Sequence, residues 1–243
     1  MKTSIAIPTY EYAGYGVECL EHSFEKMENQ TFKEFDVVIS DSSVTNDIKN
    51  LCTKWENRLD IKYYRNKEAK GNPAKNFNNA LLKAEGEWIK LLCQDDYLYA
   101  EDALGVTFQD IPEETNWIAT GYLHTYDREG YEKYHYPYLN PRIFVVNTIG
   151  TPSCVTIKNT GGDILFDDNL YYCWDCEFYY RYFMKYGTPH IEPSSTIINY
   201  LWDKSISSKI QTETIERENR YILEKHGFLK NVRDNRKKLR ILS

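Results

Sequence analysis

The sequence lacks the long apolar runs that mark membrane proteins. No stretch of the 243 residues approaches the roughly 20 apolar residues that a transmembrane helix requires. The N-terminus, Met1-Lys2-Thr3, leads directly into a predicted core strand and does not resemble a signal peptide. We also find no internal repeat, no low-complexity segment and no linker rich in glycine, proline or serine. These absences predict one compact catalytic or binding domain located in the cytoplasm.

Other absences exclude further classes of protein. A formal net charge of −6 excludes a protein that binds nucleic acid by overall electrostatic attraction. The six cysteines show no disulfide framework spacing, and the five histidines form no spaced set of metal ligands. Cys173 and Cys176 form a C-x-x-C pair, for which a redox or zinc role is one interpretation. We favour incidental cysteines, because a zinc site needs two further ligands.

Apolar runs of strand length alternate with helical patterns through the first half. The strand-like runs cover residues 3–8, 35–40, 61–64 and 87–92, and helical spacing covers 17–27, 46–55 and 73–84. Asn72 followed by Pro73 is a typical helix start. This alternation predicts right-handed crossovers and an α/β fold with a mostly parallel sheet. Ligands bind such sheets at the carboxyl ends of the strands.

Two adjacent acids, Asp95 and Asp96, end the run that begins at Glu87. Neighbouring carboxylates repel each other when ionised, unless a cation or another group offsets the charge. A hard cation such as Mg²⁺ or Mn²⁺ prefers oxygen ligands and often shares them with substrate phosphates. We therefore predict a metal site here. The alternative is a solvated acidic turn that caps a helix over residues 97–108.

An ordered set of motifs in residues 1 to about 110 resembles the family 2 glycosyltransferases with the GT-A fold. The motifs are Ile7-Pro8-Thr9-Tyr10, Gln30-Thr31-Phe32, Val38-Ile39-Ser40-Asp41-Ser42-Ser43, Gly71-Asn72-Pro73-Ala74-Lys75-Asn76, Gly86-Glu87-Trp88-Ile89 and Gln94-Asp95-Asp96. A fainter likeness continues through Leu165-Phe166-Asp167-Asp168 and Trp174-Asp175-Cys176-Glu177. The resemblance implies a Rossmann-like central sheet flanked by helices, with a smaller antiparallel region on the acceptor side.

We divide the chain into three parts, with a break between the first two near residues 110–114. Residues 1–110 form the nucleotide-sugar-binding half, 111–210 the acceptor and catalytic half of the same domain, and 211–243 a C-terminal helix and basic tail. We expect both halves to share one continuous sheet. The basic tail is a candidate for peripheral contact with an anionic membrane, and a solvated terminal helix is the alternative.

The resemblance implies the activity: transfer of a sugar from a nucleotide-diphosphate donor, most simply a UDP-sugar, to a hydroxyl acceptor with inversion. The acceptor could be a glycan, a lipid-linked sugar or a protein. A single carboxylate base and no carboxylate nucleophile would fit direct displacement. Asp175 matches the family's base, with Glu177 in reserve. Asp96 is the predicted ligand of Mn²⁺ or Mg²⁺, with Asp95 on the metal or the ribose.

The remaining predicted site residues face the nucleotide. The resemblance implies that Asp41 bonds the base, that Asn72 and Lys75 approach the diphosphate, and that the end of the first strand borders the nucleoside. This border comprises Pro8, Thr9, Tyr10 and Glu11.

The sequence departs from the family's pattern at two places. Cys93 and Gln94 stand where many relatives carry a further acid, and the late loop over residues 199–207 lacks the expected Arg and His. In that loop Lys204 could supply the cation, and Trp202 or Asp203 the contact. These departures keep open a catalytically silent sugar-nucleotide-binding module. A nucleotidyltransferase is less well supported, because residues 8–16 contain no Lys or Arg.

Tyrosines are abundant, and many lie between Tyr122 and Tyr138 around the turn at residues 127–130. This pattern predicts a hairpin. The rings either stack on acceptor sugars or pave a half-exposed sheet, and the sequence does not separate the two.

Overall fold

A computed structural model describes residues 2–203 and 205–228. Lys204 and most of the basic tail lie outside the described residues, so the contacts predicted for them stay predictions. Among the described helices, none combines the length and apolar character needed to cross a bilayer.

Within this part of the chain, nine strands form a single sheet. The strands are β1 (Thr3–Thr9), β2 (Phe35–Asp41), β3 (Ile61–Arg65), β4 (Trp88–Leu91), β5 (Tyr97–Leu98), β6 (Trp117–Thr125), β7 (Glu132–His135), β8 (Val155–Lys158) and β9 (His190–Tyr200). Their order is β3-β2-β1-β4-β8-β6-β9-β5, and β7 pairs with the edge of β6. One continuous sheet therefore joins both halves, as predicted.

The two halves of the sheet differ in strand direction. The pairs β1–β2, β2–β3 and β1–β4 are all parallel. β8 then runs antiparallel to both β4 and β6. β6 and β9 are parallel, and β7 completes the predicted antiparallel hairpin with β6. The predicted α/β fold, with an antiparallel region in the second half, is confirmed.

Seven α-helices accompany these strands in the described residues. They are α1 (Tyr15–Glu28), α2 (Asp47–Trp55), α3 (Pro73–Lys83), α4 (Ala103–Thr107), α5 (Trp174–Tyr186), α6 (Ile206–Lys209) and α7 (Thr212–Lys225). The apolar spacing seen in the sequence buries Leu20, Phe24 and Met27 of α1. At the start of α3, Asn72 Oδ1 accepts a hydrogen bond from Lys75 N at 2.8 Å, so the predicted cap is confirmed.

The prediction of a helix over residues 97–108 is wrong. Tyr97 and Leu98 instead form β5, which pairs with Ile198 and Ile197 of β9. Both side chains are buried, so the sheet offers them backbone partners and apolar cover at once. The short α4 begins only at Ala103.

Candidate active site

A cavity of about 750 Å³ lies beyond the carboxyl ends of β1 and β4. Five further segments line it: the start of α3, residues 145–152, residues 171–176 at the start of α5, the end of β9, and α7. A volume of this order accommodates a small-molecule ligand. The crevice predicted from the polar strand ends is therefore present.

The predicted site residues divide into two groups. Those that line the cavity are Pro8, Thr9, Tyr10, Asn72, Asp95, Asp96 and Asp175, whereas Glu11, Asp41, Lys75 and Glu177 are not among its lining residues. The structure thus brings the acidic pair Asp95 and Asp96, which follows β4, and Asp175, which lies in α5, to one cavity.

Asp96 is 1% exposed, and its carboxylate is saturated with donors. Oδ1 accepts from Asn199 Nδ2 at 2.8 Å and from Tyr200 N at 3.1 Å. Oδ2 accepts from Ser153 Oγ at 2.5 Å and from Thr151 Oγ1 at 3.1 Å. Burial, and next the charge of Asp95, raise the pKa of Asp96 to about 7. The acidic turn is therefore not solvated, and a cation at Asp96 would have to displace these donors.

Asp95 is the more accessible of the two acids. Its Oδ2 accepts a hydrogen bond from Trp202 Nε1 of the late loop at 3.0 Å. The contact of Trp202 with the diphosphate stays a prediction. Burial raises the pKa of Asp95. Asp95 is still the better placed of the pair to bind a cation, because it accepts from Trp202 whereas Asp96 accepts from four donors.

The side chains available as metal ligands limit how such a cation could be bound. In the described part of the chain, no group of three or more His, Cys, Asp and Glu side chains is arranged to bind a metal. Burial raises the pKa of the Cys93 thiol, which opposes the thiolate form that binds metals. Gln94 binds Tyr10 N and Gly16 O instead. These residues fit Mg²⁺ or Mn²⁺ only if Asp95 shares the ion with ligand phosphates.

Asp175 lies in the first turn of α5 and on the cavity. Oδ2 accepts from Asn147 Nδ2 at 2.7 Å, and Oδ1 from Cys176 N at 2.7 Å. Burial raises the pKa of Asp175 to about 6, although both hydrogen bonds oppose that rise. A carboxylate with this pKa is mostly ionised at neutral pH and accepts a proton more readily than an ordinary aspartate.

Glu177, the reserve candidate for the base, lies in a buried network of ion pairs. The side chain is fully buried and forms ion pairs with Arg181 at 2.6 Å and Lys225 at 2.8 Å. His226 Nε2 lies 3.1 Å from the same carboxylate. Burial alone would raise the pKa of Glu177, but the hydrogen bonds and charges of Arg181 and Lys225 lower it. A base needs a free, accessible oxygen, which this carboxylate lacks.

Asp41 is also committed to protein partners. Its buried carboxylate accepts from Tyr63 OH at 2.5 Å and from Ser43 N at 2.9 Å, and Arg65 Nε lies at 3.5 Å. The neighbouring Ser42 lines the cavity in its place. Contact between Asp41 and a nucleotide base therefore requires a rearrangement of this network.

Two further residues predicted to face the nucleotide lie outside the cavity lining. Glu11 Oε2 accepts from Val44 N at 2.6 Å and so fastens a loop. Lys75 lies in the first turn of α3 and does not line the cavity, whereas the exposed Lys70 precedes the helix and lines it. The signal in the sequence is the position of Lys70 directly before Gly71 and Asn72; in the structure Gly71 has a φ of 75°. Asn72 lines the cavity while capping α3, and its Nδ2 donates to Asp168 O at 2.7 Å.

The C-x-x-C pair behaves as two separate buried thiols. Cys173 and Cys176 are both free, and burial raises the pKa of each. Reactive cysteines show the opposite shift, so the interpretation as incidental cysteines is better supported.

Comparison with known proteins gives a matching family and a matching fold. The family model described as Glycosyl transferase family 2 matches residues 4–182. A Campylobacter jejuni protein, GalNAc(5)-diNAcBac-PP-undecaprenol beta-1,3-glucosyltransferase, is 31% identical over 126 residues, which cover 51% of this chain and 37% of that protein. The chain therefore matches well under half the length of this relative.

Solved structures share the fold. Staphylococcus aureus TarS 1–349 in complex with UDP-GlcNAc superposes with a TM-score of 0.67 at 20% identity, over 91% of this chain and 65% of that one. The mannosyltransferase PcManGT from Pyrobaculum calidifontis, in complex with GDP-Man and Mn²⁺, gives a TM-score of 0.60 at 15% identity. That match covers 82% of this chain and 56% of the mannosyltransferase chain.

Proposed function

Because the chain belongs to glycosyl transferase family 2, we propose that it transfers a sugar from a UDP-linked donor to a hydroxyl acceptor, with inversion at the sugar carbon. The observation that carries this proposal is the position of Asp175, a cavity-lining carboxylate with a pKa of about 6, in the same cavity as Asp95. One acid would serve the acceptor, and the other the donor diphosphate.

Asp175 acts as the general base in this proposal. The acceptor hydroxyl loses its proton to Asp175 as the oxygen attacks the sugar carbon, and the bond to the diphosphate breaks. Asn147 holds the carboxylate in place through its 2.7 Å hydrogen bond. Asp95 and Asp96 lie at the end of β4, and no other Asp or Glu among the described residues lines the cavity. The cavity lining thus offers no further carboxylate as a nucleophile, and we propose direct displacement with inversion.

Asp95 and Lys70 serve the leaving group. Negative charge grows on the diphosphate as the glycosidic bond breaks, and cations stabilise it. Asp95 would hold Mn²⁺ or Mg²⁺ together with the donor phosphates, and such an ion supplies Lewis-acid stabilisation when bound. Lys70 lines the cavity and adds a positive charge beside the start of α3. Asp96, with four protein donors, keeps the end of β4 in place.

The substrates are proposed from the relatives. UDP is the first nucleotide to test, because TarS superposes in complex with UDP-GlcNAc. GDP is the second, because the mannosyltransferase neighbour holds GDP-Man. The name of the Campylobacter relative suggests a lipid-linked glycan as the first acceptor class.

Turnover of UDP-GlcNAc, UDP-glucose, UDP-galactose and GDP-mannose, each with Mn²⁺, tests the proposal. We expect nucleotide release from at least one donor, and loss of that release in Asp175→Asn. Nucleotide binding without any release, with a lipid-linked glycan present, would instead favour the silent module. That alternative draws support from the thin metal-binding set near Asp95.

A further inference from the structure

Helix α7 contributes a buried carboxylate to the entrance of α5. Glu218 is 3% exposed. Its Oε1 accepts from Tyr171 N at 2.9 Å, and its Oε2 from Tyr172 N at 3.0 Å and Cys173 N at 2.9 Å. One side chain thus binds three consecutive main-chain amides from a site 45 to 47 residues away.

Those amides have special importance because they lead into α5. The helix begins at Trp174, and its cap residue, Cys173, provides no side-chain capping bond. Buried amides without a partner are costly, so the Glu218 carboxylate replaces the missing local partners. The direction in which the chain enters α5, and hence the position of Asp175 one residue after Trp174, depends on this contact.

Ion pairs and a tyrosine hydroxyl fasten α7 at its other end. Lys225 Nζ lies 2.6 Å from Asp167 and 2.8 Å from Glu177, which is itself in α5. Tyr221 OH donates to Asp167 at 2.9 Å, and His226 contacts Glu177 at 3.1 Å. The helix is therefore held against the α5 region along its length.

The same helix also faces the cavity. Ile215 and Asn219 of α7 line it, next to Tyr171 and Tyr172 of the segment that Glu218 holds. Residues 212–225 lie beyond the stretch that the family model matches. This part of the wall is therefore supplied by a segment outside the family's matched core.

We propose that Glu218 is a positioning residue for Asp175, and that α7 forms a wall of the acceptor site through Ile215 and Asn219. This inference rests on the proposed function of Asp175 as the base. Glu218 is not among the residues that line the cavity. It acts by fixing the three amides, and Asn219 contacts the acceptor.

The substitution Glu218→Gln tests the inference, with Glu216→Gln as the matched control on the exposed face of the same helix. A glutamine keeps one accepting oxygen but places an NH2 donor where the second oxygen accepted, so at least one of the three N–H groups loses its acceptor. Hydrogen exchange should speed up at least tenfold at the amides of residues 171–173 and stay unchanged in the control. Unchanged exchange in Glu218→Gln would overturn the proposed clamp.

The same variants separate positioning from a general loss of structure. We expect Glu218→Gln to lower the kcat of UDP release from UDP-GlcNAc, with water in place of the acceptor, at least tenfold. The Kd for UDP should stay within twofold of the original. Equal kcat values in both variants would contradict the positioning role. Failure of the unsubstituted protein to bind UDP would refute the proposed function, while the exchange experiment would still test the clamp.

Asn219→Ala provides a second test if Glu218→Gln does not fold. Asn219 is half-buried, and its only side-chain hydrogen bond among the described residues is a long one from Cys173 Sγ at 3.7 Å, so its removal should change stability little. With p-nitrophenyl N-acetyl-β-glucosaminide as the acceptor probe, we expect the KM of the acceptor to rise at least threefold at an unchanged Kd for UDP. An unchanged KM would contradict the acceptor wall.

Discussion

Asn147 Nδ2 donates a hydrogen bond to Oδ2 of Asp175 at 2.7 Å, and its Oδ1 accepts from Gly150 N at 2.7 Å. The residues that follow, Thr151 and Ser153, donate to Oδ2 of Asp96. One short segment therefore contacts both the proposed base and the acid at the end of β4. Residues 147–153 thus link the Asp175 side of the cavity to the Asp96 side.

Asn147→Ala should move the pH dependence of turnover. The amide donates to Asp175 and so favours the ionised form, which lowers the pKa from the value that burial alone would produce. Its loss should raise the pKa above about 6. Because the base must be ionised, the acidic limb of the kcat profile should shift to higher pH. A profile that keeps its acidic limb would contradict this role of Asn147.

Asp175→Asn should stabilise the protein at neutral pH. The folded-state pKa of Asp175 is about 6, above the ordinary 3.8, so the folded form binds the proton more tightly. The contribution of Asp175 to stability is complete below pH 3.8 and is lost as the pH rises through about 6.

Asparagine does not ionise, so Asp175→Asn does not lose this stability as the pH rises. The difference in Tm between Asp175→Asn and the original protein should therefore increase from pH 4 to pH 7. Thermal unfolding at several pH values measures it. A difference that is flat or decreases with pH would contradict the raised pKa.

Asp95 and Asp96 should respond differently to substitution. Asp96→Ala leaves four donors without their acceptor in a buried site, so we expect a loss of about 3 kcal/mol in the free energy of unfolding. Asp95→Ala removes one hydrogen bond from Trp202 and should cost about 1 kcal/mol or less.

For ligand binding we expect the reverse order, with the larger effect in Asp95→Ala. Asp95→Ala should abolish the enhancement of UDP binding by Mn²⁺, and EDTA should do the same to the unsubstituted protein. Calorimetry of UDP binding with and without Mn²⁺, together with denaturant unfolding, separates the two acids. Persistence of the Mn²⁺ effect in Asp95→Ala would contradict the assignment of the metal to Asp95.

Lys70 and Lys75 form a matched pair of substitutions. Lys70 lines the cavity and Lys75 does not. Lys70→Ala should weaken UDP binding several-fold, leave uridine binding unchanged and reduce the salt dependence of UDP affinity, because only the diphosphate carries the charge. Lys75→Ala should leave UDP binding unchanged. Equal losses in the two variants would refute the contact with the diphosphate.

The sequence predicted much of the framework and less of the side-chain geometry. Alternating apolar runs identified β1 to β4, and the end of the fourth run identified Asp95 and Asp96. Asp175 lies at a helix start and came only from the family resemblance. The direction of a side chain depends on distant partners. Asp41 turns to Tyr63 and Arg65, and Glu177 turns to Arg181 and Lys225.

Tertiary pairing also explains what the sequence missed. Tyr97 and Leu98 read as the start of a helix, but pairing with β9 made them a strand. Residues 211–243 read as a separate terminal segment, because nothing local indicates that Glu218 binds amides near residue 172. The contribution of α7 to the cavity became apparent only from the folded arrangement.

Titration of the purified protein with UDP, with and without Mn²⁺, tests the central claim most directly. We predict that UDP binds and that Mn²⁺ tightens its binding, with GDP weaker under the same conditions. Asp175→Asn should bind UDP like the unsubstituted protein, because the base serves the acceptor. Absence of binding by any nucleoside diphosphate to the folded protein would contradict the assignment of this cavity as a donor site.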